Sequence, residues 1–165
     1  PGKLTAEEFE QVKSHTVTGY KLLRMHPIDE KIKRTVILHH ERMDGSGYPY
    51  GFDKEEIDYF SRCISIIDTY EAMAAPRAHR LSIPPFNILA YFEDSLSQFD
   101  VEILMPIMKR IANAQIGTSV QLNDESIWEV FILNNNRLSR PILRNDKSET
   151  LDLLMRPDLT IEKVL

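Results

Sequence analysis

One cysteine is all the thiol that the 165-residue chain possesses, so no internal disulfide can form and a reducing, cytoplasmic setting fits. That residue, Cys63, stands in an apolar stretch beside Ile64 and Ile67, which predicts a buried thiol. Long hydrophobic runs are missing as well: nothing approaches the roughly 20 apolar residues of a membrane-spanning helix. Positive charge is in deficit, with 20 Lys and Arg against 25 Asp and Glu. The resulting net charge of −5 disfavours a general nucleic-acid surface, which needs clustered Lys and Arg, but still admits a dinucleotide held by metals and a few arginines. No targeting segment stands at Pro1. What remains is ordinary for a soluble protein, of a length that allows one domain plus a small appendage.

Against that plain background one stretch is dense in chemistry. His39 to Pro49 reads HHERMDGSGYP and packs two adjacent imidazoles, acidic and basic groups and a Gly-Tyr-Pro turn into one short run. Neutral imidazole is the commonest side-chain ligand of transition metals, and carboxylates complete sites for the harder ions. Ile28, Ile32, Val36 and Ile37 recur at helical spacing before the pair, which places the histidines on the last turn of an amphipathic helix. Adjacent helical residues diverge by about 100°, so His39 and His40 do not chelate one ion as an i, i+4 pair would. They serve two neighbouring ions, bracket one at the helix end, or merely cap the helix against its dipole. Asp44, Gly45, Gly47 and Pro49 then form turns, with Tyr48 exposed by its turn setting, Gly47 supplying backbone freedom and Pro49 stiffening the exit.

The pattern HHExxDGxGYP is matched at His39, His40, Glu41, Asp44, Gly45, Gly47, Tyr48 and Pro49, and it resembles the HD-GYP domain family. Pro1 to His15 resembles that family's approach to a helical histidine ligand. Ile66 to Arg80 resembles its later Asp-x-x-Asp-Ala-Met segment with a basic end, so the likeness covers the first two thirds of the chain. The resemblance implies a bacterial, metal-dependent phosphodiesterase that hydrolyses cyclic di-GMP to pGpG or GMP, with two or three iron or manganese ions in a bundle of helices. Its metal ligands fall on His15, His39, His40 and Asp68, with Glu71 standing where the family commonly has Asp. Tyr48 lines the substrate cleft, and Arg77 and Arg80 match a basic pair that grips phosphate, for which the arginine fork is suited. Glu41 and Asp44 either orient the histidines or order the loop. No residue is singled out as a catalytic acid or base. The implied partners are cyclic di-GMP and, through the Gly-Tyr-Pro loop, a diguanylate cyclase domain; a homodimer is also allowed.

The family's His-Asp doublet and its following lysine belong upstream of the segment that begins at Pro1, and no His-Asp dipeptide occurs in the chain. The expectation is a piece of a longer protein, lacking by itself a bridging carboxylate that a multinuclear site needs. The alternative is a non-catalytic signalling module that binds a cyclic dinucleotide or a partner through the Gly-Tyr-Pro loop.

The predicted fold is mainly α, a helical bundle of HD-domain type over residues 1–114, with a small antiparallel β appendage over 115–165. Thr5 and Glu8 form a capping box, and Phe9, Val12, Thr16, Tyr20 and Leu23 make the apolar face of the helix it opens, with His15 beside it. A long helix from Glu55 to Ala75 is given the inward stripe Ile57, Phe60, Ile64 and Ile67, which Asp68 and Glu71 continue. Inward carboxylates are costly unless neutralised, a second physical argument for metal. His26, next to Pro27, is assigned to the surface. Pro84-Pro85 precedes an aromatic helix (Phe86, Leu89, Tyr91, Phe92, Leu96), and Asp100 caps a last helix to Asn113. Four strands follow, around Val120 and Leu122, Ile127 to Leu133, Ile142 and Leu143, and Leu151 with Leu153.

Overall fold

The computed structural model describes residues 5–76 and 82–165, and in them five helices precede five strands. The helices are α1 (Ala6–Leu23), α2 (Glu30–Leu38), α3 (Tyr59–Ala74), α4 (Pro85–Asp94) and α5 (Val101–Asn113). The strands are β1 (Ser119–Leu122), β2 (Ile127–Ile132), β3 (Ile142–Arg144), β4 (Thr150–Asp152) and β5 (Ile161–Val164). The mainly helical architecture with a small antiparallel sheet is the one expected. Two compact units share the described residues, one of residues 5–72 and 96–104, the other of 73–76, 82–95 and 105–165.

In the first unit, α1 begins at the capping box: Thr5 Oγ1 accepts from the Glu8 amide and Glu8 Oε2 accepts from the Thr5 amide at 2.7 Å. Of its expected apolar face Thr16 is fully buried, whereas Phe9 and Val12 are nearly half exposed. Gly19 lets α1 approach α2, since a Cβ there would come 2.8 Å from Val36 Cγ1. Asp29 caps α2 by accepting the Lys31 amide at 2.8 Å, and the helix stops with His39 as its C-terminal cap.

The inward stripe assigned to α3 is the main correction. Ile57 is buried, but Phe60, Ile64 and Ile67 all face out, and the buried residues of the helix are Ser61, Ser65, Ile66 and Thr69. Both stripes have helical spacing; the small hydroxyl-bearing one wins because its oxygens have partners inside, as described below. Cys63 is half-buried rather than buried. The helix also starts later than Glu55, because Asp58 takes the capping role and accepts from the Ser61 amide and hydroxyl.

In the second unit Phe86, Leu89 and Phe92 of α4 are buried as expected, while Tyr91 is partly exposed; Leu96 lies beyond the helix, among the residues of the first unit. Asp100 and Glu102 also belong to the first unit, where Asp100 caps the start of α5 by accepting the Glu102 amide at 3.1 Å. The sheet order is β4-β3-β2-β1-β5, and every pairing is antiparallel. Val120, Leu122, Val130 and Leu143 turn their side chains into the core. Five strands stand where four were expected. β5 carries little alternation of its own and is a strand because it pairs with the free side of β1, a non-local contact that its own residues do not announce. No described helix is long and apolar enough to cross a membrane.

Candidate metal centre

Residues 41–53 fold into a closed loop around one carboxylate. Glu41, 1% exposed, accepts the Tyr50 amide at 2.7 Å and the Phe52 amide at 3.0 Å. The ends of the loop meet in an antiparallel bridge between Asp44 and Asp53, and Asp44 orders its own turn by accepting from the Ser46 amide and hydroxyl. Between the two roles considered for Glu41 and Asp44, their bonds are those of loop ordering. Gly47 is needed for close approach more than for freedom: a Cβ there would lie 2.4 Å from Glu41 Cα and 2.5 Å from the Arg42 nitrogen, both backbone atoms that cannot step aside. Gly45 and Gly51 adopt positive φ, +76° and +70°, which favours glycine. The Tyr48-Pro49 peptide bond is cis.

α1 and the C-terminal end of α2, just before this loop, bring three imidazoles together. His15, His39 and His40 each offer a ring nitrogen, and these nitrogens lie within 4.8 Å of one another. The His39 and His40 rings stand 4.2 Å apart at their centroids at the end of α2, close enough for the pair to bracket one point there.

The hydrogen bonds fix which nitrogen of two rings is free. His39 Nδ1 points at the Val36 carbonyl at 2.9 Å and the Thr35 carbonyl at 3.2 Å, and His15 Nδ1 points at the Val12 carbonyl at 2.5 Å. A carbonyl only accepts, so each Nδ1 carries a proton, and in the neutral rings each Nε2 presents its lone pair. Those two Nε2 atoms face each other across 3.4 Å. Two lone pairs so close repel, whereas two imidazole nitrogens sharing one ion at ordinary bond lengths sit about 3.0–3.4 Å apart. The helix carbonyls thus do for these rings what outer carboxylates do in metal sites generally, holding tautomer and orientation.

Electrostatics favour the neutral form of His39 and His40. Burial pushes the His39 imidazolium below the usual histidine range, against the opposing pull of Asp68 and the two carbonyls. His40 is pushed down to about 4 by burial first and by neighbouring His39 second; Asp68, whose Oδ2 lies 3.8 Å from His40 Nδ1, raises it but is outweighed. Neutral imidazole is the form that binds metal.

The other expected residues fall as follows. Tyr48 is half-buried, not exposed: its ring stacks on His40 at 4.7 Å and forms an edge contact with His15 at 6.4 Å, so turn geometry alone misjudged it. Burial pushes its phenol up. Asp68 is close to His40 but outside the three-histidine group, and Glu71 is exposed and also outside it. Pro49 leads out of the cis bond into a surface groove of about 480 Å³ between the loop and α1, lined also by Lys13 and Tyr50. His26 is exposed, as assigned. Arg77 and Arg80 lie outside the described residues.

Sequence reasoning missed Arg42. Its Nη1 donates to Ser65 Oγ at 2.7 Å and to the Glu41 carbonyl at 3.1 Å, its Nη2 donates to Thr69 Oγ1 at 3.2 Å, and its guanidinium lies 5.1 Å from the Phe99 ring centroid. The signal was present in Ser61, Ser65 and Thr69, hydroxyl residues one turn apart on a face that the aliphatic stripe outshouted.

A family model described as an HD domain matches residues 1–103. Cyclic di-GMP phosphodiesterase PdeB of Borreliella burgdorferi is 28% identical over 173 residues, an alignment covering 98% of this chain and 46% of that protein. A cyclic di-GMP phosphodiesterase of Thermotoga maritima is 39% identical over 48% of the chain and 22% of its own length. 3'3'-cGAMP-specific phosphodiesterase 3 of Vibrio cholerae is 33% identical over 67% of the chain and 24% of its own length. The chain spans less than half the length of these curated relatives. By the matched family model, these relatives and the loop motif of residues 39–49, the chain belongs to the HD-domain family, in its HD-GYP branch.

Proposed function

We propose that this chain carries the metal-binding part of a cyclic di-GMP phosphodiesterase, in which His15, His39 and His40 hold divalent ions with Asp68 beside them. The observation that carries the reading is the pair of Nε2 lone pairs facing each other at 3.4 Å while both Nδ1 atoms are committed to helix carbonyls. A set of imidazoles with one carboxylate suits iron or manganese. Divalent ions held there would supply Lewis acidity toward a phosphoryl oxygen and lower the pKa of water.

The chain's own residues do the rest. His39 and His40 stay neutral and available near pH 7 because burial disfavours their charged forms. Tyr48 covers His40 on one side and limits water there. Arg77 and Arg80 neutralise substrate phosphate in this proposal, and Glu71, exposed and one turn beyond Asp68, takes an auxiliary place. The product is pGpG or GMP. Names of relatives favour cyclic di-GMP over 3'3'-cGAMP as the first substrate to test, since PdeB aligns over nearly all of the chain. A cytoplasmic location fits the free, half-buried Cys63. Docking of a diguanylate cyclase domain on the Gly47–Pro49 loop, beside exposed Tyr50, and a homodimer through the outward stripe of α3 extend the proposal.

The test uses the full-length gene product, purified with its metal. Two or more bound ions and hydrolysis of cyclic di-GMP in Mn²⁺ or Fe²⁺, both lost in His39→Ala, are the expected result. A folded protein with neither metal nor turnover would leave a non-catalytic module in its place.

A further inference from the structure

We propose that Arg42 is a positioning residue that sets the spacing between the histidine pair and Asp68, an inference that rests on the metal-centre reading above. The His40 and Asp68 side chains approach to 3.8 Å, beyond direct hydrogen-bond reach, so their separation depends on the frame that carries them. His39 and His40 sit at the end of α2, and Asp68 sits on α3. Arg42, two residues after the pair, is the side chain that reaches across.

Its fork grips two hydroxyls one helical turn apart. Nη1 binds Ser65 and Nη2 binds Thr69, the immediate neighbour of Asp68. Both hydroxyl residues are buried, at 4% and 9% exposure, and Thr69 Oγ1 spends its own proton on the Ser65 carbonyl at 2.7 Å, leaving a lone pair for the guanidinium. The same Nη1 holds the Glu41 carbonyl, and Phe99 supports the guanidinium plane. A helical turn is rigid, so fixing Ser65 and Thr69 fixes the backbone of Asp68 between them. A lysine has one point charge where arginine has a planar fork, and cannot span both acceptors in the same way. Metal sites tolerate ligand displacements of only about 0.5 Å, which makes this frame consequential.

The test titrates Co²⁺ into the metal-free full-length gene product and follows calorimetry and the visible absorption of the bound ion, a signature of coordination geometry that a merely structural role leaves alone. Arg42→Lys, the double variant Ser65→Ala/Thr69→Val and their combination are compared, with the urea midpoint of the metal-free proteins as a control. Arg42→Lys should weaken Co²⁺ binding about tenfold, as loss of an outer support does, and change the spectrum. The double variant should do the same, and the combination should be no worse than either alone, because all three break one clamp. If Arg42→Lys fails to fold, the double variant carries the test alone. Wild-type affinity and spectrum in the variants that fold, or losses that add, would overturn the role of Arg42 while the metal site stands. A wild-type full-length protein that takes up no Co²⁺ removes the metal-centre reading and the positioning role together.

Discussion

The unit of residues 5–72 and 96–104 buries Thr16, Lys33, Glu41, Ser61, Ser65 and Thr69 beside the apolar Ile37, Leu38, Ile57, Ile66, Phe99 and Leu104, whereas the unit of 73–76, 82–95 and 105–165 buries Phe86, Ile88, Leu89, Phe92 and the inward residues of its sheet, with Ser139 as its buried polar residue among those described. The first also leaves Phe60, Ile64 and Ile67 in solvent. One unit therefore adds hydrogen bonds around a loop to its apolar burial, while the other rests on apolar burial almost alone. Hydrogen bonds are directional and place groups to fractions of an ångström; apolar contact stabilises without that directionality. The histidine cluster belongs to the unit ordered by directional bonds, which is where a site needing fixed ligand geometry is best supported.

The largest expected effect tests the apolar side of this contrast. Phe92 is fully buried, and Phe92→Ala should cost about 3–5 kcal/mol through lost transfer energy and a cavity. Urea denaturation measures the loss, and Co²⁺ binding should survive in the folded fraction. If binding falls with stability at low denaturant, the two units are not separable in the way their interiors suggest.

Glu41→Ala tests the polar side. It removes the acceptor of the Tyr50 and Phe52 amides, each orphaned amide costing about 1–2 kcal/mol when shielded from water. We expect a smaller stability loss than for Phe92→Ala but a larger loss of Co²⁺ affinity, because the loop that carries Tyr48 against His40 is released. Equal metal binding in the variant would show that the loop is not what orders the histidines. Gly47→Ala should act in the same direction at about 1–3 kcal/mol, since the added methyl meets backbone of Glu41 and Arg42 and the loop must shift.

Much of the first unit could be read from sequence where the signal is local. The Thr5 capping box, the helix end at His39 and the turn-rich loop after it are each written within a few residues, and each is present. What failed is what depends on partners far along the chain. The α3 face was assigned by counting aliphatic residues, but Arg42 supplies hydrogen bonds that make Ser65 and Thr69 the inward choice. Tyr48 looked exposed because a Gly-Tyr-Pro turn usually is; its stacking on His40 follows from the way Glu41 gathers the loop. In the second unit, β5 was overlooked for the same reason, since its partner β1 lies about 40 residues earlier.

The smallest effect separates the units by pH. The described histidines, His15, His26, His39 and His40, all lie in the first unit, and His40 has its folded pKa pushed down to about 4. Unfolded histidine titrates near 6.5. Above that value the imidazole is neutral in both states and contributes no pH dependence. Between about 6.5 and 4 the unfolded chain binds a proton that folded His40 refuses, so the stability of the metal-free protein falls as pH falls. His39 adds to the same trend, because burial lowers it too. Below the folded pKa both states are protonated and the stability tied to the neutral ring is fully lost. The urea midpoint of the metal-free chain should therefore drop between about pH 7 and about pH 5, and His40→Gln should drop less. Parallel curves for the two proteins would place the titration on carboxylates instead, and the contrast between a hydrogen-bonded, titrating interior and an apolar one would lose its pH signature.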